Sequence, residues 1–363
     1  MSAVASSTRG STQNKPPKKS KGLNDAQRRQ GLLLVAPTLL FLAAVILYPL
    51  IRAVLDSFKK DPGLDTATGL FVEGGSAGIS NYTHWLFQQC GNIDCPPGTL
   101  GAQFYSAFWV TLFFTVASVL VEVTLGMWFA MIMNRTFKGR GLVRAAILVP
   151  WAIPTAVTAK LWFFIFAFDG IANHLLSFVG IPAQLWTSDP NAAKFAIVIA
   201  DIWKTTPFMA LLILAGLQLI PGDVYEAAEI DGASKWQTFV RITLPLVKVP
   251  LMVAVLFRTL DVLRIYDLPA ILTNGGGGTT SLSMLVIKQI RQGGFNSASA
   301  LSTIIFLLIA FVAFLFIKFG GADVIQRPPA TKKKKGESDD APKNETHAQT
   351  GNPVAANVTT MGA

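Results

Sequence analysis

The sequence predicts an all-α polytopic membrane protein with six transmembrane helices, and three observations carry the prediction. Only 14% of the 363 residues are charged, against about 25% in ordinary soluble chains. Apolar residues make up 51%, with 25 Phe against 5 Tyr, and the mean hydropathy is +0.46. Six apolar runs, each long enough to cross hydrocarbon, fall near 32–51, 107–133, 143–168, 195–219, 247–272 and 298–319. The chain therefore divides into a basic tail over 1–31, a six-helix membrane domain over 32–319 and a disordered tail over 320–363.

Taken in order, the 1–31 segment is hydrophilic, and no A-x-A-like cleavage site follows the first span, so that span reads as an uncleaved anchor. The outer segment 52–106 contains Cys90 and Cys95 in QQCGNIDCPPG. Two cysteines five apart in a Pro/Gly-rich turn read either as a local disulfide or as two unpaired thiols. With only two cysteines and three histidines, neither a zinc site nor a disulfide-rich scaffold is expected. Prolines 150, 154, 207, 250 and 269 fall within or near spans, where a freed carbonyl is tolerated if the helix lines a cavity. Lys332 to Lys335 and the acidic residues after them, in a Pro-, Asn- and Thr-rich context, read as a solvated tail.

Lys and Arg set the orientation. Six spans place both tails on one side, which collects 18 basic residues against 6 on the other, so both termini are expected in the cytoplasm. The net charge of +10 is then a topology signal, and no nucleic-acid partner is expected.

The inner connection 220–246 is the most informative loop. Asp223, after Pro221-Gly222 and three residues before Glu226, predicts a capping box and a short helix. Gly232 ends it, Ser234 with Gln237 starts a second short helix, and Pro245 is expected to close that helix before the fifth span. Ala227, Ala228, Gly232 and Ala233 are small enough for another protein surface to approach, while Glu226 and Asp231 offer charge. From the residues alone, a docking loop and an amphipathic loop lying on the membrane stand level.

The fifth span carries Arg258, Asp261, Arg264 and Asp267. Each costs about 2.5–3.5 kcal/mol at a lipid-facing helix centre, so they are expected to face inward. Their spacing predicts a ladder of i,i+3 pairs, with Arg258 about 20 Å and Asp267 about 33 Å beyond Pro245 on one continuous helix. Two readings follow: a structural network with Lys204, Asp201 or Glu122, or a cavity lined by some of these groups with Tyr266.

Glu226-Ala227-Ala228, then Gly232, then Ile242-x-Leu244-Pro245 resembles the loop signature of binding-protein-dependent ABC importer permeases. Trp203 to Phe208, Leu214 to Pro221 and Phe257 to Asp261 resemble the sugar, maltose-type branch, and Lys204 to Met209 with Phe257 to Asp261 resemble trehalose importer permeases of mycobacteria. The chain departs from that branch at Gly275 to Gly278, where a Gly-Gly-Pro turn is frequent, and in lacking tyrosines over Met284 to Lys288.

The resemblance implies a permease subunit in a bacterial cell membrane, importing a sugar, most like a disaccharide such as trehalose. Maltodextrin, another oligosaccharide or glycerol phosphate are the alternatives. It implies an ATPase-coupling role for Glu226, Ala227, Ala228, Asp231, Gly232 and Ala233, and a substrate pathway involving Arg258, Asp261, Arg264, Tyr266, Asp267 and Asn274. The implied partners are a second homologous permease subunit, two ABC ATPase subunits and an extracytoplasmic sugar-binding lipoprotein. The chain has no G-x-x-x-x-G-K-[ST] run, so no cofactor is expected on it, and ATP-Mg belongs to the partner ATPase. An ion-coupled secondary transporter is the rival, but no internal repeat supports it. A membrane enzyme is disfavoured because His84 and His174 fall in outer loops.

Overall fold

The computed structural model describes residues 21–64, 70–72 and 74–319; the segment 1–20 and the 320–363 tail, with Lys332 to Lys335, lie outside the described residues. Helix α1 (Lys21–Leu42) starts ahead of the expected span and continues through a π-helical turn (Ala43–Leu47) into α2 (Tyr48–Asp56). The outer segment holds two short ribbons, β1 (Gly63–Leu64) with β2 (Phe71–Val72) and β3 (Gln89–Cys90) with β4 (Ile93–Asp94), and α3 (Ser80–Leu86) between them. Then come α4 (Phe104–Asn134), α5 (Arg140–Ala152), α6 (Thr155–Ile165), α7 (Ile171–Phe178) and α8 (Pro190–Leu217). The hairpin between α8 and α11 is α9 (Gly222–Ile230) and α10 (Lys235–Thr238); a second π-helical turn (Phe239–Thr243) leads into α11 (Leu244–Val262). Helices α12 (Asp267–Leu272), α13 (Leu282–Arg291) and α14 (Phe295–Phe319) complete the described chain.

Among the described residues, five helical stretches are long and apolar enough to cross a membrane. The third expected span, 143–168, is not one helix: α5 and α6 are bent by 92° at their junction. Ile153-Pro154 explains the break, because proline lacks an N–H and pushes the preceding residue out of helical conformation. The fifth span also differs from expectation. Helix α11 stops at Val262 and the chain restarts as α12 at Asp267, so 247–272 is two segments.

At its inner end the same span is longer than expected, since Lys235–Val262 is one continuous stretch through Pro245. Each π-helical turn is followed by one residue and then a proline, Pro49 or Pro245. A proline ring collides with the carbonyl four residues back, and the wider π turn makes room without ending the helix.

Helix α4 runs through all three apolar clusters of the core. The first joins Val110, Phe114 and Val119 to Ala196, Ile197 and Ala200 of α8 and to Leu268 and Leu272 of α12. The second joins Met127, Ala130 and Met133 to α8 and α11, and the third joins Phe104 and Ala107 to Trp85, α13 and α14. Helix α8 starts on a side-chain cap: Asp189 accepts from the N–H groups of Asn191 and Ala192 at 2.9 Å, with Pro190 at the first position.

Helices α8 and α11 touch at Gly216, where an added Cβ would lie 2.4 Å from the Pro250 Cβ. Gly216→Ala should therefore overpack the seam and destabilise the fold by about 1–3 kcal/mol. A lower thermal midpoint in detergent is the expected result, and an unchanged midpoint would show that the seam yields freely.

The outer segment is tied to α14. Trp85, fully buried, donates its indole N–H to the Ser297 carbonyl at 2.9 Å. The Asp61 carboxylate accepts from the backbone N–H groups of Asn296 and Ser297, capping the first turn of that helix. Cys90 and Cys95 are joined by a disulfide that closes the β3–β4 ribbon.

Candidate functional site

Three helices, α4, α8 and α11, meet at Arg258, which is 2% exposed on α11. Its Nε and Nη2 donate to the two carboxylate oxygens of Glu122 on α4, at 2.5 and 2.9 Å. Nη2 also reaches Asp201 on α8 at 2.5 Å, and Nη1 reaches Asp261 at 2.6 Å. Thr205 donates to Glu122 at 2.7 Å. Lys204, on the same face of α8, donates to the Ile153 carbonyl at the α5–α6 bend, at 2.5 Å. A planar guanidinium with five N–H groups is suited to this position, since it offers two donors to Glu122 and still reaches two further acids.

This cluster forms the floor of a polar cavity of about 170 Å³, lined among others by Thr155, Lys204, Asp261, Arg264, Tyr266 and Asp267. Five of the six residues placed on the substrate pathway, Arg258, Asp261, Arg264, Tyr266 and Asp267, thus share one cavity. Asn274 does not line it: it is exposed beyond α12 at a φ of 50°.

The expected ladder is also corrected. Of the four ladder residues, Arg258 and Asp261 pair at 2.6 Å, whereas Arg264 and Asp267 do not continue the ladder, because α11 ends at Val262 and they no longer share its helical register. Glu122 and Asp201, named from sequence only as neighbours, are the acids that hold Arg258, and Thr205 was missed. A hydroxyl one turn after an intramembrane acid was the available signal.

The α9–α10 hairpin is built from two different helix ends. The turn is closed by Gly232 at a φ of 73°; its N–H reaches the Glu229 carbonyl and the Ala233 N–H reaches the Ala228 carbonyl, which ends α9 sharply. Ser234 and Gln237 form the expected reciprocal capping box. The Asp223 box does not form: Pro221 occupies the cap position and Asp223 sits in the first turn of α9. There it faces the positive end of the helix dipole.

Of the six residues assigned to coupling, Glu226, Ala227, Asp231 and Gly232 are exposed, Ala233 is half-buried and Ala228 is buried. Two large apolar residues not anticipated from sequence, Ile230 (86% exposed) and Trp236 (72%), flank the turn. The signal for them was two bulky apolar side chains beside a glycine turn in a charged loop.

Elsewhere, His84 lies near the Cys90 and Cys95 sulfurs, but sulfurs bonded to each other are not thiolate ligands, so this trio does not fit a metal. Lys288, outside the spans, donates to the Thr280 hydroxyl at 3.0 Å, and burial pushes its ammonium pKa below the usual lysine range.

Residues 122–324 match the model of the family described as binding-protein-dependent transport system inner membrane component. The chain is 39% identical over 297 residues to the trehalose/maltose transport system permease protein MalF of Thermococcus litoralis, covering 81% of this chain and 94% of that protein. It is 38% identical over 304 residues to the trehalose transport system permease protein SugA of Mycobacterium tuberculosis, covering 83% and 92%. Its fold resembles a chain in the crystal structure of a bacterial ABC transporter involved in import of the acidic polysaccharide alginate. The TM-score is 0.66 at 22% identity, covering 82% of this chain and 97% of that one. The family match, which includes α8 to α14, and the near full-length relatives agree: this multi-pass membrane protein belongs to the binding-protein-dependent transport system inner membrane components, the permease subunits of ABC importers.

Proposed function

We propose that the chain carries a neutral disaccharide such as trehalose inward, as one permease subunit of an ATP-driven importer. The observation that carries this reading is near full-length similarity to two permeases whose names specify trehalose. A cavity lined by carboxylates, cations, threonines and a tyrosine supports it, since sugars are held by hydrogen bonds to hydroxyls and by contact with aromatic rings. In this reading Arg258, Asp261, Arg264, Tyr266 and Asp267 belong to the pathway, and both termini face the cytoplasm with the basic loops.

The hairpin supplies the coupling. Glu226, Ala227, Asp231 and Gly232, with the apolar tips of Ile230 and Trp236, dock on one of two partner ATPases. A second permease subunit completes the pathway, and an extracytoplasmic sugar-binding protein delivers substrate. ATP binding favours the closed ATPase pair; the hairpins of the two permeases move with it, and the cavity changes the side to which it opens.

Uptake of labelled trehalose into proteoliposomes holding the whole assembly tests the reading: it should require ATP and the binding protein. Uptake driven by an ion gradient without ATP would remove it, and preference for a charged sugar such as a sulfoquinovosyl glycoside would replace the substrate. Asp267→Asn should raise the half-saturating sugar concentration about tenfold, the loss of a charged hydrogen bond. If affinity holds and only the amount of assembled complex falls, Asp267 is structural.

A further inference from the structure

Residues 201–205 of α8 make three connections within little more than one helical turn. Asp201 binds Arg258 of α11, Thr205 binds Glu122 of α4, and Lys204 donates to the Ile153 carbonyl at the α5–α6 corner. The corner is where the chain most needs a donor. Helix α5 ends at Ala152, Ile153 is extended at a ψ of 132°, and Pro154 has no N–H to offer. Carbonyls at that helix end therefore lose their helical partners, at a depth where hydrocarbon offers no replacement.

Lys204 brings charge as well as a donor. Arg258 faces three carboxylates, so the cluster has two negative charges in excess before Lys204 is counted. Among the described residues no carboxylate lies within 4.0 Å of the Lys204 ammonium, so its direct partner is the corner carbonyl. Yet it lines the same cavity as Asp201 and Asp261, and so does Thr155, the first residue of α6.

We infer that Lys204 is a positioning residue that fastens the α6 wall of the cavity to α8. Its ammonium is held by the Ile153 carbonyl and by the field of the carboxylate cluster together, so the bend of the third span and the charged floor of the cavity move as one unit during transport. The inference rests on the cavity being the sugar path.

The test uses the assembled importer in nanodiscs, with Lys204→Arg, Lys204→Gln and Lys204→Met compared with the wild type. Hydrogen exchange of the backbone amides of residues 158–161, the first of α6 that are hydrogen-bonded within the helix, should quicken about tenfold in the Gln and Met variants, the change expected for losing one charge-assisted hydrogen bond. Trehalose turnover per assembled complex should fall about tenfold, and by more than half-saturation rises, because the displaced wall slows the reorientation more than it weakens sugar binding. Lys204→Arg, which keeps charge and donor, should recover most of both. Unchanged exchange at 158–161 in Lys204→Met overturns the inference, as does a loss confined to the amount of assembled complex. If the wild type takes up no trehalose, the sugar reading fails while the exchange comparison still decides the role of Lys204.

Discussion

Arg258→Met is expected to prevent accumulation of the folded protein. The substitution keeps a long side chain but leaves Glu122, fully buried, and Asp201, 6% exposed, without the cation that both contact. Removing one partner of a buried ion pair costs about 3–5 kcal/mol, a large part of the roughly 5–15 kcal/mol that keeps a domain folded. Arg258→Lys should rescue little, since one ammonium cannot reproduce the forked contact to Glu122 and also reach Asp201 and Asp261. Glu122→Gln should be milder, because it removes one negative charge from a cluster that has an excess of them. Protein level in membranes and thermal midpoint in detergent measure all three variants. Normal levels of Arg258→Met would show that the cluster does not hold α4, α8 and α11 together.

Gly232→Val should leave the membrane helices assembled and lower transport at least about tenfold. A β-branched residue at a φ of 73° is an outlier costing about 1–3 kcal/mol, and relieving that strain breaks the turn that ends α9. The exposed residues of α9 and the start of α10 would then point in new directions. The measurement is uptake per assembled complex, with binding of the ATPase partner followed in parallel. Wild-type uptake by this variant would separate the hairpin from energy coupling.

The charge cluster shows how far local reasoning reaches. The cost of four charges in one apolar run required inward partners, and Glu122 and Asp201 were natural candidates because few other acids lie within spans. Which of them meets Arg258 depends on how α4, α8 and α11 cross, and that crossing is set by close contacts such as Gly216 against Pro250. A one-dimensional pattern does not contain it. The i,i+3 ladder failed for a related reason: it assumed α11 continued to 272, whereas the chain leaves the helix after Val262 and places Arg264, Tyr266 and Asp267 around the cavity from beyond its end.

The hairpin was legible because its signals are local. A glycine in the left-handed region and a Ser-x-x-Gln box act within five residues, so they read directly from the sequence. Pro245 misled because a proline breaks a helix only when the carbonyl four residues back has no room, and the π-helical turn at Phe239–Thr243 gives it room.

By itself, then, the sequence determined that the chain lives in a membrane, where its apolar runs lie, and where its inner hairpin turns. These follow from hydration and from backbone conformation, which depend on composition and on near neighbours. Only the tertiary structure decided that the third span bends by 92°, that one arginine gathers three acids, and that Lys204 reaches the corner of another helix. Those contacts join residues as far as 136 positions apart, and they exist because buried charges and freed carbonyls must find partners wherever the packed helices bring one within reach.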